Sequence, residues 1–284
     1  MRQAVEPEAQ GLSRWIHDVV QGSPVSGRST DHRLMAVAND EPYAPVPSSE
    51  APAADTTLSD QLDALGALLP VLEFALGAGF FDQFAGDFLS LREGYEVPLA
   101  DLDEGFAEYL DLTRPDRELP AAEQEEWPRF LVELAAFERG LRKLSEGALL
   151  NDPPRTSAAI LKGVPWAKLG RCRIRLMPGA SLERFRFPVH RYWRAVCSDE
   201  NPEYPDPRQV RLATWRCRGA LSFLELHPNA WQVLLRLSQG ETLEEARHAV
   251  GVGVASLRRM LARWIERGLV VEVDATSAHT LANG

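Results

Sequence analysis

From Leu58 to about Leu150, large apolar residues recur three or four positions apart, the period of an amphipathic helix. Leu58, Leu62, Leu65, Leu68, Leu69 and Leu72 mark one face of a first helix, with Ser59 as its candidate N-cap. A break is expected at Gly77–Gly79, then a second helix carrying Phe80, Phe81, Phe84, Phe88 and Leu89. Leu99, Leu102, Phe106, Tyr109 and Leu110 mark a third. The longest helix spans residues 126–147, with Pro128 in its first turn and Phe130, Leu131, Leu134, Phe137, Leu141 and Leu144 facing inward. This spacing predicts an all-α unit with its own core, in which the aromatics are packing residues rather than a cofactor box.

Beyond residue 170 the period shortens. Residues 171–177 alternate as a strand does, and 209–217 with 220–226 read as a hairpin turning at Arg218-Gly219. Residues 188–196 read as one helical turn. Three helices follow: 229–240, capped by Gly240; one opened by Thr242, with Glu245 completing a capping box; and Val254 to Arg267, closed by Gly268. A short strand, Leu269 to Val273, comes last. The expected class is α+β. Residues 1–57 form a short amphipathic helix (11–21) and a Pro/Ala-rich linker, and 58–150 an acidic all-α helical domain. Residues 171–274 form a basic winged-helix-like domain with a small antiparallel sheet and three helices, after a crossing linker at 151–170.

Charge sharpens that division. The 284 residues carry a formal net charge of -10, which argues against a general polyanion binder. Residues 1–160 hold 12 Lys and Arg against 29 Asp and Glu, whereas 161–284 hold 19 against 12. Such a split implies two domains with different partners, or two that attract each other. Cys172, Cys197 and Cys217 form no CxxC pair and read as reduced, mostly buried thiols of a cytosolic protein. The N-terminal residues lack a signal-peptide core. The longest apolar run, Ala64 to Phe81, contains Pro70, Glu73 and three glycines, so no membrane span is expected.

Nothing in the motifs points to catalysis or to a cofactor. There is no phosphate-binding glycine loop, no HExxH and no nucleophile elbow. Histidines 17, 32, 190, 227, 248 and 279 lie far apart, and a meeting of His190 with Cys197 in space reads as structural. Neither Asp82 with Asp87 nor Glu133 with Glu138 has the spacing that fixes two carboxylates on one helical face.

Residues 68–89, then "DLDEGFAEYL" (101–110) and "WPRFLVELAAFERGL" (127–141), resemble the N-terminal domain of the HvfC/BufC family. The resemblance rests on Pro70, Leu76, Gly77, Phe80, Phe81, Phe106, Leu110, Pro128, Leu131, Leu134, Ala135 and Glu138. Residues 176–193 and 210–246 resemble the family's C-terminal half, so about residues 58–150 and 173–273 are covered. The motifs are mostly apolar, and the family's basic helix near the N-terminus is replaced here by a Pro-rich insertion after "DHRL". That family is labelled a DNA-binding domain family. Its members accompany iron-dependent, multinuclear peptide-modifying oxygenases, the methanobactin partner protein among them. The order of strands and three helices also resembles the peptide-recognition module of ribosomal-peptide biosynthesis. There, a precursor's leader adds as a strand to a sheet edge and packs on the third helix.

The resemblances therefore imply a non-catalytic partner protein that forms a hetero-oligomer with an iron oxygenase and holds a precursor peptide. The alternative is a transcriptional regulator that reads DNA with its last helix. Against DNA stands that helix's start, "GVGVAS", where only Ser256 and Arg258 carry hydrogen-bonding side chains. Arg259, Arg263 and Arg267 recur every four residues as a stripe, suited to an acidic extended peptide or simply to solvent and neighbouring glutamates. The candidate peptide site is therefore Ala220, Ser222, Leu224 and Leu226 with Arg259, Arg263 and Arg267. Arg184, Arg186, Arg191 and Arg194 are candidates for meeting the acidic helical domain or an acidic enzyme. Interleaved with aromatics, they could also hold single-stranded RNA, but Phe185, Phe187, Tyr192 and Trp193 read as packing the domain junction.

Overall fold

The computed structural model describes residues 57–92, 97–120, 122–146 and 157–274. The expected helix at 11–21 and all but the last residue of the 1–57 segment lie outside them. The chain combines helices with two small antiparallel sheets and divides into two compact units.

The first unit takes its described residues from 57–140 and from 187–207. Its elements are helical: α1 (Leu58–Leu68), α2 (Pro70–Leu76), α3 (Ala78–Ser90), a 3-10 turn (Leu99–Asp101), α4 (Phe106–Thr113) and most of α5 (Glu126–Glu146). Thr57, not Ser59, caps α1. Its hydroxyl accepts from the Asp60 N–H while the Asp60 carboxylate accepts from the Thr57 N–H. The single first helix expected at 58–76 is two, because Pro70 carries no N–H and opens a new helix at its first turn. The break at Gly77 is where the spacing placed it, with φ at 76°, a region that only glycine enters freely.

Residues 187–207 belong to this unit and not to the strand-containing one. The single turn expected at 188–196 is a helix, α8 (Val189–Cys197). Its aromatics complete the helical core: Phe130 meets Phe187 at 5.7 Å and Tyr192 at 4.9 Å, both edge-on, and Phe137 meets Trp193 at 6.3 Å. Glu133 accepts the Phe187 N–H at 3.0 Å, and the Tyr204 hydroxyl donates to the Ala75 carbonyl at 2.6 Å.

The second unit holds the described residues of 141–186 and 208–274. It contains the last residues of α5, two four-residue helices, α6 (Ile160–Gly163) and α7 (Trp166–Leu169), and strands β1 (Arg173–Leu176) and β2 (Ser181–Phe185). Then come β3 (Val210–Cys217), β4 (Ala220–Glu225), α9 (Pro228–Ser238), α10 (Leu243–Val250), α11 (Val254–Glu266) and β5 (Val270–Asp274). One sheet has the order β2-β3-β4 and the other pairs β1 with β5, all antiparallel. Strand β2 falls in a stretch that its arginine-aromatic composition did not mark as a strand. One core joins Ala213, Trp215, Leu224 and Leu226 of the hairpin to Trp231 and Leu234 of α9, Ala246 of α10, and Leu257, Leu261 and Trp264 of α11.

Candidate binding surface

Arg218 and Gly219 both have positive φ, 54° and 81°, so β3 and β4 are joined by a two-residue turn. Both central residues of a type I′ hairpin turn need that conformation, which matches the right-handed twist of the strands. A two-residue turn makes Cys217 and Ala220 a hydrogen-bonded pair, and in antiparallel strands such pairs alternate with non-bonded ones. The Leu226 N–H donates to the Arg211 carbonyl at 2.8 Å, which fixes the same parity at the far end. The main-chain groups of Ala220, Ser222, Leu224 and Leu226 therefore point at β3. Those of Leu221, Phe223 and Glu225 point the other way.

That outward side is an edge: β4 has β3 as its one hydrogen-bonded neighbour among the described strands. The sequence-based choice of Ala220, Ser222, Leu224 and Leu226 is thus off by one residue for main-chain recognition. Leu224 and Leu226 are also buried in the core. An added strand would bond to Leu221, Phe223 and Glu225. Side-chain alternation shows which residues face the core, but the hydrogen-bonding parity has to be counted from the turn. Arg218-Gly219 supplied that count.

Helix α11 begins after the turn Gly251-Val252-Gly253 and turns Leu257, Leu261, Trp264 and Ile265 into the core. Its four arginines divide into two kinds. Arg258 is half-buried and engaged: its Nη1 donates to the Leu161 carbonyl at 2.5 Å and its Nη2 to the Val164 carbonyl at 2.6 Å. Its guanidinium also lies 5.8 Å from the centre of the Trp166 ring. The Trp166 Nε1 in turn donates to Glu244 at 2.6 Å, and the Arg247 guanidinium beside Glu244 holds that carboxyl down at about 2. Residues 161–166 are thus strapped onto α10 and α11.

Arg259, Arg263 and Arg267 are exposed. Arg259 makes one long hydrogen bond, 3.3 Å to the Ser256 hydroxyl. Neither Arg263 nor Arg267 has a hydrogen-bond or ion-pair partner among the described residues. Other arginines of the unit are paired: Arg175 with Glu272, Arg208 with Glu225, Arg236 with Glu241, and Arg247 with Glu244. With 187–207 assigned to the helical unit, residues 157–186 and 208–274 carry 17 Lys and Arg against 8 Asp and Glu. The unit is thus more basic than the linear halves imply, since the excursion removes two arginines and four acids.

Arg184, Arg186, Arg191 and Arg194 are all exposed, but they are divided between the units. Arg184, on β2, lies 5.5 Å from the centre of the Trp231 ring, and Arg186 follows the strand. Arg191 and Arg194 sit on α8 in the helical unit. Phe187, Tyr192 and Trp193 pack against Phe130 and Phe137 in the helical unit. His190 and Cys197 are buried on α8, seven residues and so about 10 Å apart along its axis. Burial pushes the Cys197 thiol up to about 12, with nearby Glu138 adding to it, so the pair offers no thiolate.

Among the described residues no group of three His, Cys, Asp or Glu could hold a metal ion, and no helix is long and apolar enough to cross a membrane. A shallow hollow of about 560 Å3 lies beside Arg236, Glu241, Glu245 and His248, open to solvent. No family model and no curated protein matches the chain.

Proposed function

We propose that this protein is a non-catalytic partner protein in the modification of a ribosomally made peptide. In this reading the second unit is a winged-helix-like peptide-recognition module. A precursor's leader adds as a strand along β4, bonding to Leu221, Phe223 and Glu225, while its acidic side chains meet the arginines of α11. The oxygenase partner carries the iron and the chemistry, and the protein raises the effective concentration of the peptide's modifiable segment beside it. The acidic helical unit, with Arg191 and Arg194 on its α8, is the surface assigned to that enzyme. The observation that carries the reading is a sheet edge, β4 having one hydrogen-bonded neighbour among the described strands, in the same unit as a row of arginines of which two have no side-chain partner among the described residues.

A DNA-reading regulator is the competing class, and Arg258 weighs against it. A recognition helix meets base edges with polar side chains at its N-terminal end. Here Arg258 is occupied by two carbonyls and a tryptophan ring, which leaves Ser256.

Fluorescence anisotropy at near-physiological salt tests the proposal. One titration uses the peptide encoded by a short reading frame beside this gene, another a mixed-sequence DNA duplex. Saturable micromolar or tighter binding to the peptide alone, weakened by joint charge reversal of Arg259 and Arg263, is the expected result. Binding to the duplex alone, or peptide affinity unchanged in that variant, would overturn it.

A further inference from the structure

The spacing of the exposed arginines of α11 carries information about the ligand. Arg259, Arg263 and Arg267 follow one another at four-residue intervals, so their Cα atoms step about 6 Å along the α11 axis. In an extended peptide, side chains on one face step by about 6.6–6.8 Å, two residues at a time. Over three positions the two rows drift apart by less than 2 Å, well within the reach of arginine side chains. A contiguous run of acids fits less well, because every second carboxylate points away from the helix. An acidic helix would match the 6 Å step as well, and what favours an extended ligand over it is the open edge of β4 in the same unit, which a strand can join and a helix cannot.

From this spacing, together with the open edge of β4 in the same unit, we infer that α11 selects an extended segment with carboxylates at alternate positions, i, i+2 and i+4, each meeting one arginine of the row. The inference rests on the peptide reading above and specifies its ligand. The row is built for exchangeable contacts: its members are exposed, two have no partner among the described residues, and the third holds a single long bond to Ser256. Glu266, exposed and three residues beyond Arg263, sets the limit. It places one negative charge beside the row and weakens the central contact.

The test uses two fluorescent nine-residue peptides of identical composition, titrated by anisotropy into the full chain at about 150 mM salt, where the Debye length is about 8 Å. In one, four glutamates alternate with five threonines. In the other, the glutamates are contiguous. The alternating peptide is expected to bind about two- to fivefold more tightly, as one further matched ion pair at an exposed site implies. The preference should vanish in the Arg263→Gln/Arg267→Gln variant and grow two- to threefold in Glu266→Gln. Equal affinity for the two peptides overturns the inference and leaves the peptide reading standing. If neither these peptides nor the precursor peptide binds, both fall.

Discussion

Charge is handled in opposite ways by the two units. The helical unit buries it: Asp103, Arg114, Asp116, Glu138 and His190 are all inside. Among the described residues of the strand-containing unit, Thr214 alone is a buried polar side chain, and its arginines are half-buried or exposed. Buried ionic groups fix geometry and cost desolvation. Exposed, unpartnered ones cost little and remain available. The ionisable groups buried in the helical unit are therefore architectural, as Arg258 is on α11, whereas Arg259, Arg263 and Arg267 stay exposed, a distinction that net charge alone does not make.

Glu138 is the clearest case of the first kind. From α5 its carboxylate accepts the N–H groups of Val71 and Leu72 at 3.0 and 2.8 Å. It thereby caps α2, whose own N-cap, Leu69, has no side chain able to do so. Burial pushes its pKa up to about 8, against the pull of those two amides and of Trp193, with Asp103 adding to the rise.

The comparison can be broken by substitutions, and the largest effect is expected in the helical core. Phe130→Ala removes the ring against which Phe187, Tyr192 and Tyr204 pack, and should lower unfolding stability by about 3–5 kcal/mol in urea titrations. Hydrogen exchange should quicken across 187–207 and stay unchanged in the β3–β4 hairpin. Next comes Glu138. Replacement by alanine strands two buried N–H groups, at about 2–4 kcal/mol.

The pH dependence of Glu138 follows from its direction of shift. The folded-state value lies above the unfolded one, so the folded chain holds the extra proton between roughly pH 4.5 and 8. The contribution of this group to stability is complete below that window and is lost on rising through it, by about 1.4 kcal/mol per pH unit. Glu138→Gln should abolish that slope, and parallel curves for wild type and variant between pH 5 and 8 would contradict the assignment.

Smaller changes sharpen the contrast within α11 itself. Arg258→Ala loses two charged donors to carbonyls and should cost about 1.5–3 kcal/mol, with faster exchange at 161–166 and unaltered peptide affinity. Charge reversal of Arg263 and Arg267 should move stability by no more than about 0.5 kcal/mol. Adjacent arginines, 258 and 259, thus predict opposite phenotypes, one in folding and one in binding.

Most local signals that close within a few residues were read correctly, the Ser59 cap being the exception. Thr242 and Glu245 form their capping box, Gly268 follows the last helix, and Arg218-Gly219 turns the hairpin. What stayed hidden depends on partners far along the chain. Nothing near Arg258 distinguishes it from Arg259, because the carbonyls that hold it come from residues 161 and 164. The nine residues of α8 are too few for periodicity to show that they belong with Phe130 and Phe137. The outward parity of β4 was recoverable from the turn, yet alternation of side chains pointed to the wrong set.

The excursion of residues 187–207 has a consequence for how this chain can be taken apart. A cut in the region 147–156 is the obvious way to separate an acidic half from a basic half. It yields no such halves. The N-terminal fragment would lack α8 and expose the apolar faces of Phe130 and Phe137. The C-terminal fragment would carry a helix whose Phe187, Tyr192 and Trp193 have lost their packing. Exchange of either half between related chains meets the same obstacle, so recombination would have to move both stretches of the helical unit together.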